Sequence, residues 1–232
     1  MVIGLIVSGG KGLRMGTEVP KQFLPVHGVP ILVRTLMAFD EVDSLEALVL
    51  VLGRDFIEYF NGLGYTPAKP LYIVEAGEER FSSVRNGLEK AYELDPESAV
   101  LIHDGVRPLV SKKIIEDGIA YTRKYGAAAC SVALKDTVKS VGKDGFSTGT
   151  LERNNYRLIQ TPQCFFTKEI LSGHKRIQEI DNQVTDDTAV YEAFYGSVYL
   201  YEGSYENLKV TTPEDLLLAE AILANREIES CK

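Results

Sequence analysis

Cysteine is scarce: Cys130, Cys164 and Cys231 are the only three in 232 residues, and their spacing is unpaired. That argues against a disulfide framework or a zinc array and fits a reducing cytoplasm. Histidine is equally rare, with three scattered residues and no visible nucleophile–base pair. Positive charge is also in deficit, 25 basic against 33 acidic residues for a net charge of −8. General nucleic-acid or membrane-surface binding favours the opposite sign, although a local basic pocket for phosphates stays open. Long apolar runs are missing as well. The opening MVIGLIVSGG is too short for a membrane span and lacks a preceding basic region, so it reads as a first β-strand rather than a signal peptide.

Two familiar phosphate motifs are absent. The pattern glycine, four residues, Gly-Lys-Ser/Thr occurs nowhere. A dinucleotide fingerprint beginning at Gly10 and Gly12 fails at Met15, where glycine or alanine is required. It also lacks an acid about 20 residues on, because the second strand ends near Leu52.

What is present is ordinary for a globular protein: 45% hydrophobic and 25% charged residues, enough to bury a core. Short apolar runs alternate with helical patterns, the signature of a Rossmann-like α/β fold. Its mostly parallel sheet carries helices on both faces. Strands are expected at Val2–Ser8, Leu45–Leu52, Leu71–Glu75, Ala99–His103 and Ala127–Leu134. Helices are expected at Pro30–Phe39, with Pro30 as first helical residue, and at Asp55–Leu63, Arg80–Leu94 and Lys112–Tyr125. The polar, glycine-interrupted stretch 135–156 offers little apolar surface and reads as a projecting β-arm on a single 1–232 domain. The chain returns through Leu158–Phe166, helices near Lys168–Glu179 and Asp186–Phe194, a strand at Val198–Tyr201, a segment at Leu208–Thr211 and a closing helix from Pro213 to about Asn225.

The segment SGGKGLRMG, from Ser8 to Gly16, directly follows the first strand. Its glycines let backbone N–H groups approach an anion. Arg14 within it and Lys21 in the phrase PKQF add two cations, a combination suited to a triphosphate. A plain strand-to-helix turn with a surface arginine is the competing reading. In HDGVRP, Asp104 ends a strand where ligand sites of open α/β sheets gather. It is a candidate Mg²⁺ ligand, since magnesium takes one or two carboxylates plus substrate phosphates. Arg107 can pair with a phosphate, while His103 reads as a packed strand-end histidine without an evident partner. Ser82 reads as a helix cap, and Thr212 with Pro213 as the cap and first residue of the last helix.

The loop with Arg14 and PKQF resembles the start of the 2-C-methyl-D-erythritol 4-phosphate cytidylyltransferases and their relatives, the ribitol-5-phosphate cytidylyltransferases. GEERFSSVRNGL, HDGVRP, KDTVK, QTPQCF, TDDTAVYE and ENLKVTTPEDL follow in the family's order, spanning nearly the whole chain. The resemblance implies CMP transfer from CTP to a small polyol phosphate. It places Ser8, Gly9, Gly10, Gly12, Gly77, Arg80, Ser83 and Asp104 around the nucleotide, and Arg14, Lys21 and Lys209 at the transferring phosphate. Arg107, Thr137, Arg153, Thr161 and Thr185 fall to the acceptor side, with helix capping an equal account of Thr185. The resemblance further implies Mg²⁺ and a homodimer whose interlocking arms carry Thr137 and Arg153 into the neighbour's site.

Departures are mild. Ser8 and Gly9 stand where many methylerythritol enzymes have two alanines, and HDGVRP, where they read HDAARP, drifts toward the ribitol relatives. KDTVK and TDDTAVYE lean back toward the methylerythritol branch, which is the expected acceptor. A nicotinamide oxidoreductase and a non-catalytic nucleotide-binding module remain as readings from other classes.

Overall fold

The computed structural model describes residues 1–10, 20–177 and 184–230. Apolar side chains occupy consecutive positions in β1 (Val2–Ser8) and β4 (Ala47–Leu52), so both strands are buried on both faces. Ile3, Leu5, Val49 and Val51 pack on one side of the sheet, and Val2, Ile6, Leu48, Leu50 and Leu52 on the other. The β2 (Pro25–Val26) and β3 (Val29–Pro30) pair between them is a small hairpin. Its two-residue turn, His27 and Gly28, has φ of 46° and 74°, the positive values a tight hairpin turn needs.

Further along come β5 (Leu71–Glu75), β6 (Ala99–Asp104), β7 (Ala127–Ala133), β10 (Arg157–Phe166) and β11 (Tyr199–Glu202). They join β1 and β4 in one seven-stranded sheet of order β11-β7-β10-β6-β1-β4-β5. Only β10 runs antiparallel to its neighbours, β6 and β7. The others pair in parallel. Their connections include α1 (Ile31–Asp40), α2 (Arg54–Gly62), α3 (Arg80–Leu94) and α4 (Lys112–Tyr125), with α5 (Thr167–Lys175), α6 (Asp187–Phe194) and α7 (Pro213–Ser230) later in the chain. Side chains of α1, α2 and α4 fill one core, those of α3, α5 and α6 the other, and α7 covers a smaller cluster around Val26, Val106 and Val210.

β1, β5, α3 and α4 match their expected bounds, while the remaining elements shift at their ends. Pro30 sits one residue outside α1 with ψ of 139°, as N-cap rather than first helical residue. The helix expected to reach Glu179 is described only to Lys175, and Glu179 lies outside the described residues. Leu208–Thr211, expected only as a segment, has no regular secondary structure.

The arm is present as β8 (Lys139–Val141) paired with β9 (Ser147–Thr150). The few apolar side chains it carries are left uncovered: Val141 is 64% and Phe146 75% exposed, and Tyr156 and Leu158 on the returning chain are exposed as well. No helix among the described residues is long and apolar enough to cross a membrane.

Candidate active site

β1, β4, β5 and β6 end on the same edge of the sheet, and the chain leaves β1 toward β4 on one side while β6 flanks it on the other. Such a switch in strand order opens a crevice beyond the strands' C-terminal ends. Here it is a cavity of about 550 Å³. Ser8, Gly9 and Gly10 line it from the end of β1, Gly77, Arg80 and Ser83 from the start of α3, and Asp104 from the end of β6. Lys21 and Lys209 also line it, as do Gln22 and the acids Glu78 and Glu79. Gly12 and Arg14 lie outside the described residues.

The approach of β1 to α3 depends on glycine. A Cβ on Gly9 would come within 2.6 Å of the Ala76 Cβ, and one on Gly77 within 2.5 Å of the Ser82 Cβ. Both distances are impossible without movement of the ledge. Ser83 Oγ accepts the Gly77 amide at 3.1 Å and so holds that ledge against α3. Glu79 caps the helix in a box with Ser82, whose Oγ accepts the Glu79 amide at 2.9 Å. The positive end of the α3 dipole thus faces the cavity, a favourable setting for an anion. Ser8 Oγ is buried in the same wall with no hydrogen-bond partner among the described residues. An unpaired buried hydroxyl costs about 1–3 kcal/mol, a penalty that a ligand acceptor would remove.

Asp104 is the electrostatic centre. The Lys209 ammonium lies 3.2 Å and the Arg107 Nε 3.1 Å from its Oδ2. Burial alone would push this carboxyl up, but Lys209, Arg107 and Arg80 bring it down to about 2. The residue is therefore an anion at neutral pH. Lys209 is held there by its own segment: Val210 N–H donates to the Val106 carbonyl at 2.9 Å. Asn207 Nδ2 donates to the Thr161 carbonyl at 2.9 Å. Lys21, in a 3₁₀ turn after Pro20, donates to the Val210 carbonyl at 3.0 Å, which brings two lysines to one end of the cavity.

Arg80 faces the cavity from a buried clamp. Its guanidinium meets the fully buried Asp187 at 2.6 and 3.3 Å, and His174 Nε2 lies 3.1 Å from the same carboxylate. Burial would raise the Asp187 carboxyl, yet Arg80 and His174 hold it below the ordinary value.

Of the acceptor-side residues, none lines the cavity. Arg107 stands behind Asp104, its Nη1 donating to the Asn207 carbonyl at 2.8 Å. Thr161 is buried in a register shift of β10, under Asp104. Thr137 is exposed at the root of the arm, and the Arg153 guanidinium donates to the Lys135 carbonyl at 2.9 Å. Thr185 is exposed, and the cap of α6 is Asp186, whose side chain accepts from the Ala189 amide. Capping therefore does not account for Thr185.

His103 corrects its expected isolation, because both ring nitrogens are engaged, with Thr161 Oγ1 at 3.1 Å and the Arg107 carbonyl at 3.2 Å. Gln22, Asn207 and Asp187 were not singled out from the sequence. All sit within the quoted motifs, but each works by contacts between distant segments that spacing does not reveal. Gln22, for instance, donates to the Gly10 carbonyl at 3.1 Å and ties that residue to the 3₁₀ turn. Cys130 and Cys164 are buried and their thiols are raised by that burial, Cys130 to about 12, which leaves them without thiolate chemistry.

The family model for 2-C-methyl-D-erythritol 4-phosphate cytidylyltransferase matches residues 2–225. A protein of that name from Clostridium novyi (strain NT) is 47% identical over 230 residues, covering 98% of this chain and 97% of its own. Another of that name, from Clostridium botulinum (strain ATCC 19397 / Type A), is 48% identical, covering 94% of this chain and 96% of its own. Among solved structures, the 4-diphosphocytidyl-2C-methyl-D-erythritol synthase of Anaerococcus prevotii superposes with a TM-score of 0.84 at 32% identity, covering 96% of each chain. The 2-C-methyl-D-erythritol 4-phosphate cytidylyltransferase of Francisella tularensis gives 0.78 at 29% identity, covering 94% of this chain and 98% of its own.

Proposed function

Because this chain belongs to the 2-C-methyl-D-erythritol 4-phosphate cytidylyltransferase family, we infer that it transfers CMP from CTP to 2-C-methyl-D-erythritol 4-phosphate. The reaction releases pyrophosphate and serves isoprenoid precursor synthesis. The observation that carries the reading is the convergence of Lys21, Lys209, Arg80 and Asp104 on one cavity beyond the strand ends.

The chemistry needs little from the protein beyond charge and alignment. The second ionisation of a phosphate monoester lies near pH 6, so the acceptor oxygen is already a nucleophile at neutral pH and no general base is required. That oxygen attacks the α-phosphorus of CTP, and the bond from this phosphorus to the bridging oxygen of the β-phosphate breaks. The electron pair leaves with pyrophosphate. Lys21, and Arg14 by family resemblance, neutralise the charge that builds on the α-phosphate, with Lys209 at the same end of the cavity. The Gly77–Ser83 ledge takes the cytosine.

A magnesium ion fits the residues present. Among the described residues no cluster of three or more ligating side chains exists, but one ionised carboxylate with substrate phosphates is a usual magnesium environment. Asp104 would hold the ion, which when bound supplies positive charge to the triphosphate.

Residues 1–232 act in this reading as one nucleotidyltransferase unit of the cytoplasm, with 135–156 as a dimerisation arm. Support comes from the exposed Val141 and Phe146 on the hairpin and from the position of Thr137 and Arg153 away from their own cavity. Docking on a second copy would cover the former and bring the latter to the neighbour's acceptor phosphate.

Incubation with CTP, Mg²⁺ and the acceptor should yield pyrophosphate and the cytidylylated polyol in equal amounts. Labelled pyrophosphate should exchange into CTP only when acceptor or product is present. Exchange with neither would mean a covalent enzyme intermediate and would overturn the direct displacement.

A further inference from the structure

His103 is fully buried at the end of β6, its ring centroid 4.9 Å from that of Phe39 and tilted 48° to it. Its Nε2 faces the carbonyl of Arg107, and a carbonyl can only accept, so Nε2 carries the ring proton. Nδ1 then presents a lone pair to Thr161 Oγ1, which donates its single hydroxyl proton there. The same hydroxyl oxygen accepts the Asp104 amide at 3.0 Å. One assignment of protons satisfies all three contacts, and it runs in a single direction. The Asp104 N–H donates to Thr161, Thr161 to His103, and His103 to the Arg107 carbonyl.

The two ends of this chain are the two ends of one turn. Arg107 N–H donates to the Asp104 carbonyl at 3.1 Å, closing residues 104–107. Gly105 leaves no slack in it, since a Cβ there would meet the Ser8 Cβ at 2.9 Å. We infer that His103 and Thr161 form a positioning pair that grips both ends of the Asp104–Arg107 turn and so aims the Asp104 carboxylate into the cavity.

Thr161 is then a positioning residue. A phosphate acceptor needs a donor from the protein, and the only proton of this hydroxyl is committed to His103. Thr161 thus serves the reaction from behind Asp104, with no direct bond to the acceptor. The argument rests on Asp104 belonging to the active site, as proposed above.

The test compares Thr161→Val, Thr161→Ser, His103→Gln and the double variant Thr161→Val/His103→Gln, with Asp104→Asn as control. Thr161→Val should lower kcat by about 10–100-fold, the scale of a small misplacement of a reacting group, with the acceptor KM little changed. Thr161→Ser should restore most of the rate. The double variant should lose no more than the worse single one, as members of one chain do not add. Long-range ¹H–¹⁵N spectra of histidine-labelled protein should show His103 with its proton on Nε2.

A raised acceptor KM with unchanged kcat in Thr161→Val would overturn the inference and return Thr161 to substrate binding. Additive losses in the double variant, or a proton on Nδ1, would overturn it equally. Unchanged kcat in Asp104→Asn would instead defeat the reading of the site. A normal Thr161→Val beside a slow Asp104→Asn would sink the positioning pair alone. Should His103→Gln not fold, the two Thr161 variants and the wild-type spectrum still decide the question.

Discussion

The Lys209 ammonium lies 3.2 Å from the Asp104 carboxylate, a contact between the segment before the last helix and the end of β6. It leaves a cation and an anion side by side in the wall of a cavity of about 550 Å³. Removing the cation by Lys209→Ala should cost mainly kcat, by about 10²–10³-fold, the range for one preorganised charge. Steady-state kinetics with both substrates varied would check it. Weaker CTP binding at unchanged kcat would place Lys209 in ground-state binding instead.

Ser8 offers a prediction with two signs. Its buried hydroxyl has no partner among the described residues, so Ser8→Ala should leave the melting temperature unchanged or higher. If the hydroxyl meets the nucleotide, the KM for CTP should rise about 5–10-fold, equivalent to roughly one hydrogen bond. An unaltered KM would show that the hydroxyl takes no part in binding.

The Arg80–Asp187 clamp gives the protein an acid-sensitive element. The folded carboxyl of Asp187 titrates below its ordinary 3.8. Its contribution is therefore fully present above about pH 4 and is lost as the pH falls through the folded value. Urea unfolding should find Asp187→Asn less stable than wild type at pH 7 by about 3–5 kcal/mol, the cost of breaking a buried pair. The gap should narrow on acidification below pH 4. A gap of constant size would refute the assignment.

Arg153 supplies the test of the dimer. In a purified mixed dimer of Lys21→Ala and Arg153→Ala subunits, action across the interface puts both lesions in one site and leaves the other intact. About half the wild-type activity should return, as two-fold symmetry requires. If Arg153 serves its own subunit, each site carries one lesion and mixing restores nothing.

Much of this was legible in the letters because β1, β4 and β6 are runs of apolar residues and α3 and α4 keep a helical period. The loop SGGKGLRMG and the phrase PKQF pointed to the same place, since Ser8, Gly9, Gly10 and Lys21 line the cavity, while Arg14 lies outside the described residues. The partners of His103 and the roles of Gln22, Asn207 and Asp187 stayed hidden for a physical reason. Each acts through hydrogen bonds to partners on other elements, such as Asn207 Nδ2 on the Thr161 carbonyl, and sequence spacing carries no trace of such contacts. The hairpin at His27–Gly28 was missed because each of its strands is only two residues long, too short for any alternation to register.

CTP and 2-C-methyl-D-erythritol 4-phosphate can be tested as the substrate pair in one assay. Pyrophosphate release should be followed with CTP or ATP against 2-C-methyl-D-erythritol 4-phosphate and ribitol 5-phosphate, side by side. kcat/KM should be by far the largest for CTP with the methylerythritol acceptor, with ATP inactive. A preference for ribitol 5-phosphate, or equal turnover of ATP, would contradict that pairing.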